Sequence, residues 1–306
     1  MFTLEAEFDR VRDLSSNIPY WQAKLWDNPT VDLDTWFLFD AWYRSRSLEL
    51  PKSGTALVPY LDMVNHSVEP NARFEEMDGA GGVVLRLGPN VQISKGDEVT
   101  ISYGKDKSQA EMLFSYGFTT DAAKAAQNSL RLQMGPFEDD PLSKAKLMVF
   151  GARPFVQLTE VGGKVSWESP FSCLKCVNQE DGLSFKIARQ LNEDEELRMF
   201  WQDEDVTEAA SRLDTTLSDH KLWPLFQLRV VTDIQDRVRE QLERIRSAVD
   251  LAGVEPGVSR KGCIESASVL RQCETRVLDQ AMRDLEIEVR ELYLAKGLVL
   301  VRLLVG

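Results

Sequence analysis

Several short, strand-like segments lie close together within residues 56–103, and this feature most limits the folds available to the chain. Ala72 to Glu75 and Val83 to Leu87 look like strands joined by a glycine-rich turn at residues 78–82. After a second turn, residues 99–103 are β-branched and alternate in polarity. Short strands at this density favour a compact β fold over a parallel α/β sheet, in which helices separate the strands.

Helical segments flank this strand-rich region. Residues 1–47 are predicted to be helical, and either Asp32 or Asp34 is a suitable N-cap for the aromatic-rich helix at the end of this segment. Residues 108–116 are predicted to form a short helix, and residues 122–126 are predicted to form an alanine-rich linker. A domain boundary is therefore expected near residue 122.

Two long helices are predicted in the C-terminal half. Apolar residues recur every three or four positions over residues 222–249 and again over residues 264–296, which places them on one face of each helix. Such helices are most simply explained by a helical bundle. Residues 142–150 are predicted as a shorter helix, and residues 150–200 as mixed and turn-rich. The predicted fold class is α+β, with a short-stranded β fold followed by a mostly α-helical C-terminal domain.

The charge balance bears on the partners of the chain. There are 36 Lys and Arg residues against 49 Asp and Glu residues, which gives a net charge of −13. Affinity for nucleic acid depends on Lys and Arg, so a nucleic-acid partner is not expected. A basic protein segment is a compatible partner, although solubility alone explains the charge equally well. The longest apolar stretch, Leu298 to Val305, is far shorter than the ~20 residues that span a bilayer, and no membrane partner is expected.

The cysteine and histidine residues predict neither a disulfide scaffold nor a metal site. The chain has four cysteines: Cys173, Cys176, Cys263 and Cys273. This number suits a reducing compartment, and because no signal peptide is visible, a cytoplasmic or nuclear location is expected. Cys173 and Cys176 form an isolated C-x-x-C pair, whereas a structural zinc site usually has a second pair of ligands. The two histidines follow no ligand pattern with it.

A polar run interrupts the strand-rich region at residues 59–67, Pro-Tyr-Leu-Asp-Met-Val-Asn-His-Ser. Burying such groups unpaired costs a few kcal/mol each, so they either satisfy one another in a tight turn or face a ligand. Two later motifs are Ile101-Ser102-Tyr103-Gly104 and Tyr116-Gly117-Phe118. Each tyrosine precedes a glycine, where the chain can turn sharply. Taken singly, each of these features is more simply explained by structure, and a ligand-facing role stays open.

Taken in order, these motifs resemble the C-terminal half of the SET domain. More closely, they are similar to the Rubisco large-subunit methyltransferase class of protein-lysine methyltransferases, in a fungal-type member. Residues 44–47, Arg-Ser-Arg-Ser, also resemble the R-S-R motif that ends the helical insertion of that class. The resemblance implies a helical SET insertion over residues 1–47, the C-terminal half of the SET domain over 48–122, and a helical substrate-binding-like domain over 123–306.

The resemblance also implies a cofactor, S-adenosylmethionine, and residues that contact it. Asn65 and His66 match the pair that holds the adenine and amino-acid ends of this cofactor in the family. Arg46 matches a cofactor-contacting arginine, and a planar guanidinium suits a carboxylate because it can bond to both oxygens. Tyr103 matches the active-site tyrosine, so it is the predicted catalytic residue as well as a cofactor contact.

The same resemblance implies residues that admit the target lysine of a protein substrate. Tyr116 and Phe118 match residues that line the narrow lysine channel, and Ser45 and Asp62 match positions near its mouth. No metal is needed for this chemistry. The expected activity is methyl transfer to a lysine side chain of a protein partner, by a monomeric enzyme.

Some family features are not found. Residues 1–44 contain no match to the glycine-bearing cofactor loop, so the N-terminal part of the SET domain is expected to be missing. Leu48 stands where the plant enzymes tend to have an aromatic residue. The cysteine-rich segment that follows many histone-type SET domains is absent, which favours a non-histone target. The alternative function is a catalytically impaired SET remnant that acts as a protein-binding module.

Overall fold

The structure is a computed structural model that describes residues 2–77, 81–104, 107–120, 128–189, 195–248 and 261–305. It divides the chain into two compact units, Met1–Thr120 and Asp121–Gly306, which we call the N-terminal and C-terminal units. The predicted linker at residues 122–126 lies outside the described residues. The assignment of domain roles to these parts of the chain stays a prediction.

The N-terminal unit begins with helices, as predicted. These are α1 (Phe2–Ser15), α2 (Pro19–Trp21) with a π-helical turn after it (Gln22–Trp26), and α3 (Leu33–Arg46). Asp32 is the N-cap of α3, since its carboxylate accepts a hydrogen bond of 2.8 Å from the backbone N–H of Thr35. The buried ring of Phe8 packs 5.8 Å from the rings of both Trp26 and Trp36, which joins these helical segments.

Short strands follow: β1 (Ser47–Leu50), β2 (Gly54–Leu57), β3 (Asn65–His66), β4 (Ala72–Glu76), β5 (Val83–Leu87) and β6 (Thr100–Ile101). β1 pairs with β2 and β4 pairs with β5, both antiparallel, whereas β3 and β6 are parallel. The strand predicted over residues 99–103 is therefore too long. It ends at Ile101, and beyond it the N–H of Tyr103 bonds to the His66 ring and not to another strand.

A short helix, α4 (Gln109–Tyr116), completes the described part of this unit. It begins where the sequence predicted, because Ser108 and Glu111 form a reciprocal capping box. It ends at Gly117, which has φ 81° and so takes up the left-handed conformation that glycine favours.

The C-terminal unit mixes helices with strands. Its helices are α5 (Ser143–Phe150), α6 (Ser172–Cys176), α7 (Leu213–Leu217), α8 (Trp223–Ser247) and α9 (Lys261–Val305). Its strands are β7 (Asn128–Gln133), β8 (Phe155–Val161), β9 (Lys164–Glu168), β10 (Leu183–Arg189), β11 (Glu195–Trp201) and β12 (Glu204–Asp205). They form two antiparallel sheets, with strand orders β7-β8-β9 and β10-β11-β12.

The two predicted long helices are present, but the helical-bundle interpretation is wrong. The apolar stripes of α8 and α9 are buried, as shown by Ile234 and Val277. They share one hydrophobic core with Leu158 of β8 and Met199 of β11. The two long helices therefore pack against each other, and α9 also packs against the sheet formed by β7, β8 and β9. Strands β8 and β9 lie in the segment that was predicted to be turn-rich. Within the described part of the chain, no helix combines the length and apolar character needed to cross a bilayer.

Candidate active site

Helix α3 carries two of the predicted site residues, Ser45 and Arg46, at its C-terminal end. The preceding residue, Arg44, anchors this end. Its guanidinium contacts the Asp40 carboxylate at 2.5 Å, donates to the backbone carbonyl of Phe114 at 2.5 Å and lies 4.2 Å from the centroid of the Phe114 ring. Because Phe114 belongs to α4, the end of α3 is held against α4, and Ser45 and Arg46 are positioned with it.

Arg46 contacts the single helical turn formed by Leu61–Met63. Its Nη1 lies 3.4 Å from the backbone carbonyl of Asp62, 3.8 Å from the Asp62 carboxylate and 2.8 Å from the Met63 sulfur. Tyr60, which precedes this turn, has φ 70° and a 91% exposed side chain. A positive φ is unusual for an aromatic residue, and such strain is often found at functional sites. The turn brings Asp62 next to Arg46.

The parallel pair of β3 and β6 joins two of the sequence motifs. Asn65 lies opposite Thr100, and His66 lies opposite Ile101. The N–H of Tyr103 donates to Nδ1 of His66 at 3.1 Å. Because Nδ1 accepts this bond, the geometry assigns the proton of a neutral imidazole to Nε2. The N-H-S motif and the I-x-Y-G motif are therefore one structural unit.

Asn71 closes the chain segment that separates these two motifs. Its side-chain amide donates to the backbone carbonyl of Glu98 at 2.8 Å, and its Oδ1 accepts from the N–H of Thr100 at 2.8 Å. The Glu98 carboxylate accepts a hydrogen bond of 2.6 Å from the side-chain amide of Asn65. Asn65 of the polar run is therefore oriented by Glu98, which lies 33 residues away in sequence, and not by another member of the run.

Four rings form a group that we call the aromatic cluster: His66, Tyr103, Tyr116 and Phe118. The Tyr103 and Tyr116 rings are 4.5 Å apart, the His66 and Tyr103 rings 5.2 Å apart, and the Phe118 ring is 6.1 to 6.4 Å from the other three. The Tyr103 hydroxyl donates to the backbone carbonyl of Val64 at 2.7 Å. Both tyrosines and the histidine of the predicted site therefore meet in one place.

A pocket of about 240 Å³ lies in the N-terminal unit beside this cluster. Five of the eight predicted site residues line it: Ser45, Arg46, Asp62, Tyr103 and Tyr116. The other three, Asn65, His66 and Phe118, do not line it. His66 and Phe118 lie behind the pocket wall as partners of Tyr103, and Asn65 is exposed. The roles given to these eight residues stay predictions.

Sequence reasoning missed several groups at this site. Glu49 and Lys107 line the pocket, and Val64 contributes a backbone carbonyl that no residue pattern can signal. Glu49 stands in strand β1, where an alternating pattern predicts an ordinary solvent-facing acid. Lys107 immediately precedes the N-cap of α4. Its position just before a helix was the one feature of the sequence that could have drawn attention to Lys107.

Burial controls the ionisation of the aromatic cluster. Desolvation lowers the pKa of His66 below its usual value, which agrees with the neutral form that its hydrogen bond requires. Desolvation raises the pKa of Tyr103, and the nearby Arg46 charge partly opposes this. It also raises the pKa of Tyr116, with the Tyr103 and Glu49 charges acting in the same direction. The tyrosines are therefore hydroxyl donors at neutral pH.

The residues of the pocket fit part of S-adenosylmethionine. A carboxylate suits the Arg46 guanidinium, which within the described residues contacts Asp62 and Met63 through Nη1 alone. A sulfonium cation suits the faces of the Tyr103 and Tyr116 rings. The exposed amide of Asn65 offers polar groups of the kind that an adenine edge needs. The donor set therefore fits the charged end of this cofactor most closely.

No metal site is found in the part of the chain that the structure describes. No group of three or more His, Cys, Asp or Glu side chains is arranged to hold an ion there. The cysteines are free thiols, with Cys173, Cys176 and Cys273 buried and Cys263 exposed.

Comparison with curated proteins identifies relatives over about half of the chain. The chain is 32% identical over 159 residues to SET domain-containing protein 8 of Schizosaccharomyces pombe, covering 51% of this chain and 36% of that protein. It is 28% identical over 167 residues to the chloroplastic Rubisco large subunit N-methyltransferase of Pisum sativum, covering 46% of this chain and 34% of that protein. The match therefore spans about a third of each relative. No protein-family model matches the chain.

Comparison with solved structures covers nearly the whole chain. The structure of Rubisco LSMT bound to AdoMet matches with a TM-score of 0.57 at 20% identity, over 95% of this chain and 63% of that one. The shared fold confirms the α+β fold class and the predicted resemblance, including the helical character of the C-terminal half.

Proposed function

We propose that this chain is a SET-domain protein-lysine methyltransferase, which transfers a methyl group from S-adenosylmethionine to the side-chain amine of a lysine in a protein substrate. The observation that carries the proposal is the pocket in which Arg46 faces the paired rings of Tyr103 and Tyr116. Its relatives, which include a protein named as a lysine-directed aldolase methyltransferase, support the same reaction class.

The pocket residues supply binding and orientation. When bound, S-adenosylmethionine supplies an activated methyl group on a sulfonium. Arg46 holds the carboxylate end by charge and by paired hydrogen bonds. The rings of Tyr103 and Tyr116 present their negative faces to the cation. Val64 fixes the Tyr103 ring, because its carbonyl accepts the hydroxyl at 2.7 Å.

The same surroundings prepare the lysine nucleophile. A free lysine has a pKa of about 10.4 and is almost wholly charged at neutral pH. The carboxylates of Glu49 and Asp62 attract the ammonium to the pocket mouth. Removal of the amine from water inside the pocket then disfavours the charged form, which favours the neutral amine. Alignment of amine and methyl group accounts for the remaining rate enhancement.

Three further parts of the proposal concern the substrate, the oligomeric state and the location of the protein. A protein with an accessible lysine is the proposed substrate. Relatives named for Rubisco and for aldolase support a non-histone target, whereas a further relative is named as a histone-lysine methyltransferase. A monomeric enzyme without a nucleic-acid partner is proposed, supported by the net charge of −13. A cytoplasmic or nuclear location is proposed, supported by four free cysteines.

A second candidate function is a protein-binding module without methyl transfer. The observation that favours it is a set of exposed apolar side chains in the N-terminal unit: Phe39, Trp42, Tyr43, Tyr60 and Met63. Apolar patches of this kind mark protein-interaction sites. Titration calorimetry with S-adenosylhomocysteine separates the two functions, since a pure binding module needs no cofactor site.

The decisive experiment combines cofactor binding with turnover. Arg46→Met should weaken S-adenosylhomocysteine binding, whereas Arg73→Met, at an exposed arginine of the same unit, should not. Tyr103→Phe removes the hydrogen bond to Val64 that fixes the ring, and this loss of positioning should reduce methylation of a lysine-bearing protein pool by on the order of 100-fold. Tyr43→Phe removes an exposed hydroxyl and should have no effect. An undiminished rate in Tyr103→Phe would refute the role of Tyr103.

A further inference from the structure

Among the lysines of the N-terminal unit that the structure describes, Lys107 stands apart because its side chain lines the candidate pocket. It lines the same 240 Å³ space as Tyr103 and Tyr116. Its ammonium nitrogen is 5.9 Å from the centroid of the Tyr116 ring, which is within the range of a cation–π contact. The residue as a whole is nevertheless exposed.

Gly104 explains why this side chain can fold back towards the pocket. A Cβ atom added at Gly104 would lie 2.9 Å from Cε of Lys107 and 3.0 Å from its Cγ. The stem of Lys107 therefore passes through the space that a side chain at position 104 would occupy, and a residue with a Cβ there would push this flexible stem aside. Gly104 also has φ 141°, which suits glycine. The glycine after the predicted catalytic tyrosine therefore makes room for a lysine.

The pocket offers this amine the surroundings that the proposed reaction requires. Carboxylates of Glu49 and Asp62 line the space, together with the faces of two tyrosine rings. In the described residues, no hydrogen bond or ion pair engages the Lys107 nitrogen. Its contact is with the Tyr116 ring.

We infer that Lys107 is a methyl acceptor of its own chain, so that the enzyme methylates itself at this residue within one molecule. This inference rests on the proposed function. The lone pair of the neutral Lys107 amine forms the new N–C bond while the S–C bond of S-adenosylmethionine breaks. The amine proton passes to solvent, and the products are methyllysine and S-adenosylhomocysteine. Methylation retains the positive charge but adds apolar bulk beside Tyr116.

The test uses the purified full chain with methyl-labelled S-adenosylmethionine and no added protein. Tandem mass spectrometry should locate the label at Lys107. Lys107→Arg should lose the label, and Lys95→Arg, at an exposed lysine of the same unit, should retain it. The rate constant should not depend on chain concentration. A label at another residue, or a rate that rises with concentration, would overturn the inference.

A second measurement does not depend on turnover. The chain is treated with limiting acetic anhydride, with and without S-adenosylhomocysteine, and acetylation is measured at Lys107 and Lys95. We expect protection of Lys107 alone. Equal protection, or none despite calorimetric binding of S-adenosylhomocysteine, overturns the inference while the proposed function stands. If S-adenosylhomocysteine does not bind at all, the proposed function fails, and the self-methylation fails with it.

Discussion

The most informative stability test concerns an ion pair buried inside the C-terminal unit. The ammonium of Lys146 is fully buried and contacts the Asp140 carboxylate at 2.5 Å, with the side chain of Asp140 only 8% exposed. The second hydrogen bond of this ammonium, of 3.0 Å, goes to the backbone carbonyl of Lys175. Asp140→Asn preserves the shape of the side chain but removes the charge that compensates Lys146.

The expected cost is large because a buried charge loses its counter-ion. Removing one partner of a buried pair costs about 3–5 kcal/mol. With a urea m-value of about 2 kcal/mol/M, a loss of about 4 kcal/mol lowers the unfolding midpoint by roughly 2 M. Far-UV circular dichroism gives the midpoint, and hydrogen exchange of α5 and α6 peptides shows that the loss lies in this unit.

Asp139→Asn is the matched control. It makes the same substitution one residue earlier, where the side chain is exposed. Its free energy of unfolding should change by less than about 0.5 kcal/mol. Equal urea midpoints for the two variants would refute the reasoning, because they would mean that burial of the Lys146 ammonium does not require the Asp140 carboxylate. Replacing both partners, as Asp140→Leu with Lys146→Met, should recover much of the stability.

Two further predictions concern ionisation. Because burial lowers the folded-state pKa of His66 below its ordinary value of about 6.5, the unfolded chain binds more protons between these two values, and stability falls as the pH drops through that window. Urea midpoints from about pH 7.5 to about pH 5 should therefore fall less in His66→Gln, and parallel curves would contradict this. Burial raises the pKa of Cys173 to about 12 and also raises that of Cys176, so iodoacetamide should alkylate exposed Cys263 well before either of them. Similar labelling rates at Cys176 and Cys263 in the folded chain would count against this assignment.

Much of the N-terminal unit could be predicted from local signals. The cap at Asp32, the hairpin of residues 72–87 and the capping box at Ser108 each depend on residues close together in sequence. The strand over 99–103 was predicted too long because its ending depends on a distant partner. The ring of His66 takes the N–H of Tyr103, and no local pattern reveals that bond.

The C-terminal sheets show a different limit. β7 and β8 alternate buried and exposed positions, with Leu130, Leu132, Val156 and Leu158 facing the core. This is a period-2 signal, but each strand is short and stands beside turn-rich sequence. The strong 3.6-residue period of α8 and α9 dominated the interpretation. An apolar helix face shows that another element packs against the helix, but it does not show whether that element is a helix or a strand.

The candidate site contains some residues that the sequence could predict and others that it could not. Motif order predicted five pocket residues, because a catalytic motif keeps its residue types and spacing. Glu49 and Lys107 were missed because single charged residues in a strand or before a helix carry no pattern. The Val64 carbonyl was missed because every residue has one. Their contributions follow from three-dimensional placement alone.

The two bonds of Asn71 have a consequence for the variability of this part of the chain. They tie the chain together at the base of the β4–β5 hairpin, so the hairpin is a side branch whose two ends are fixed. The entropy of closing such a branch grows only slowly with its length, by about 0.6 kcal/mol for each doubling. Residues in the hairpin can be gained or lost while Asn65 and Thr100 keep their register. A change in the length of the hairpin should therefore cost little stability, whereas the loss of Asn71 should cost more.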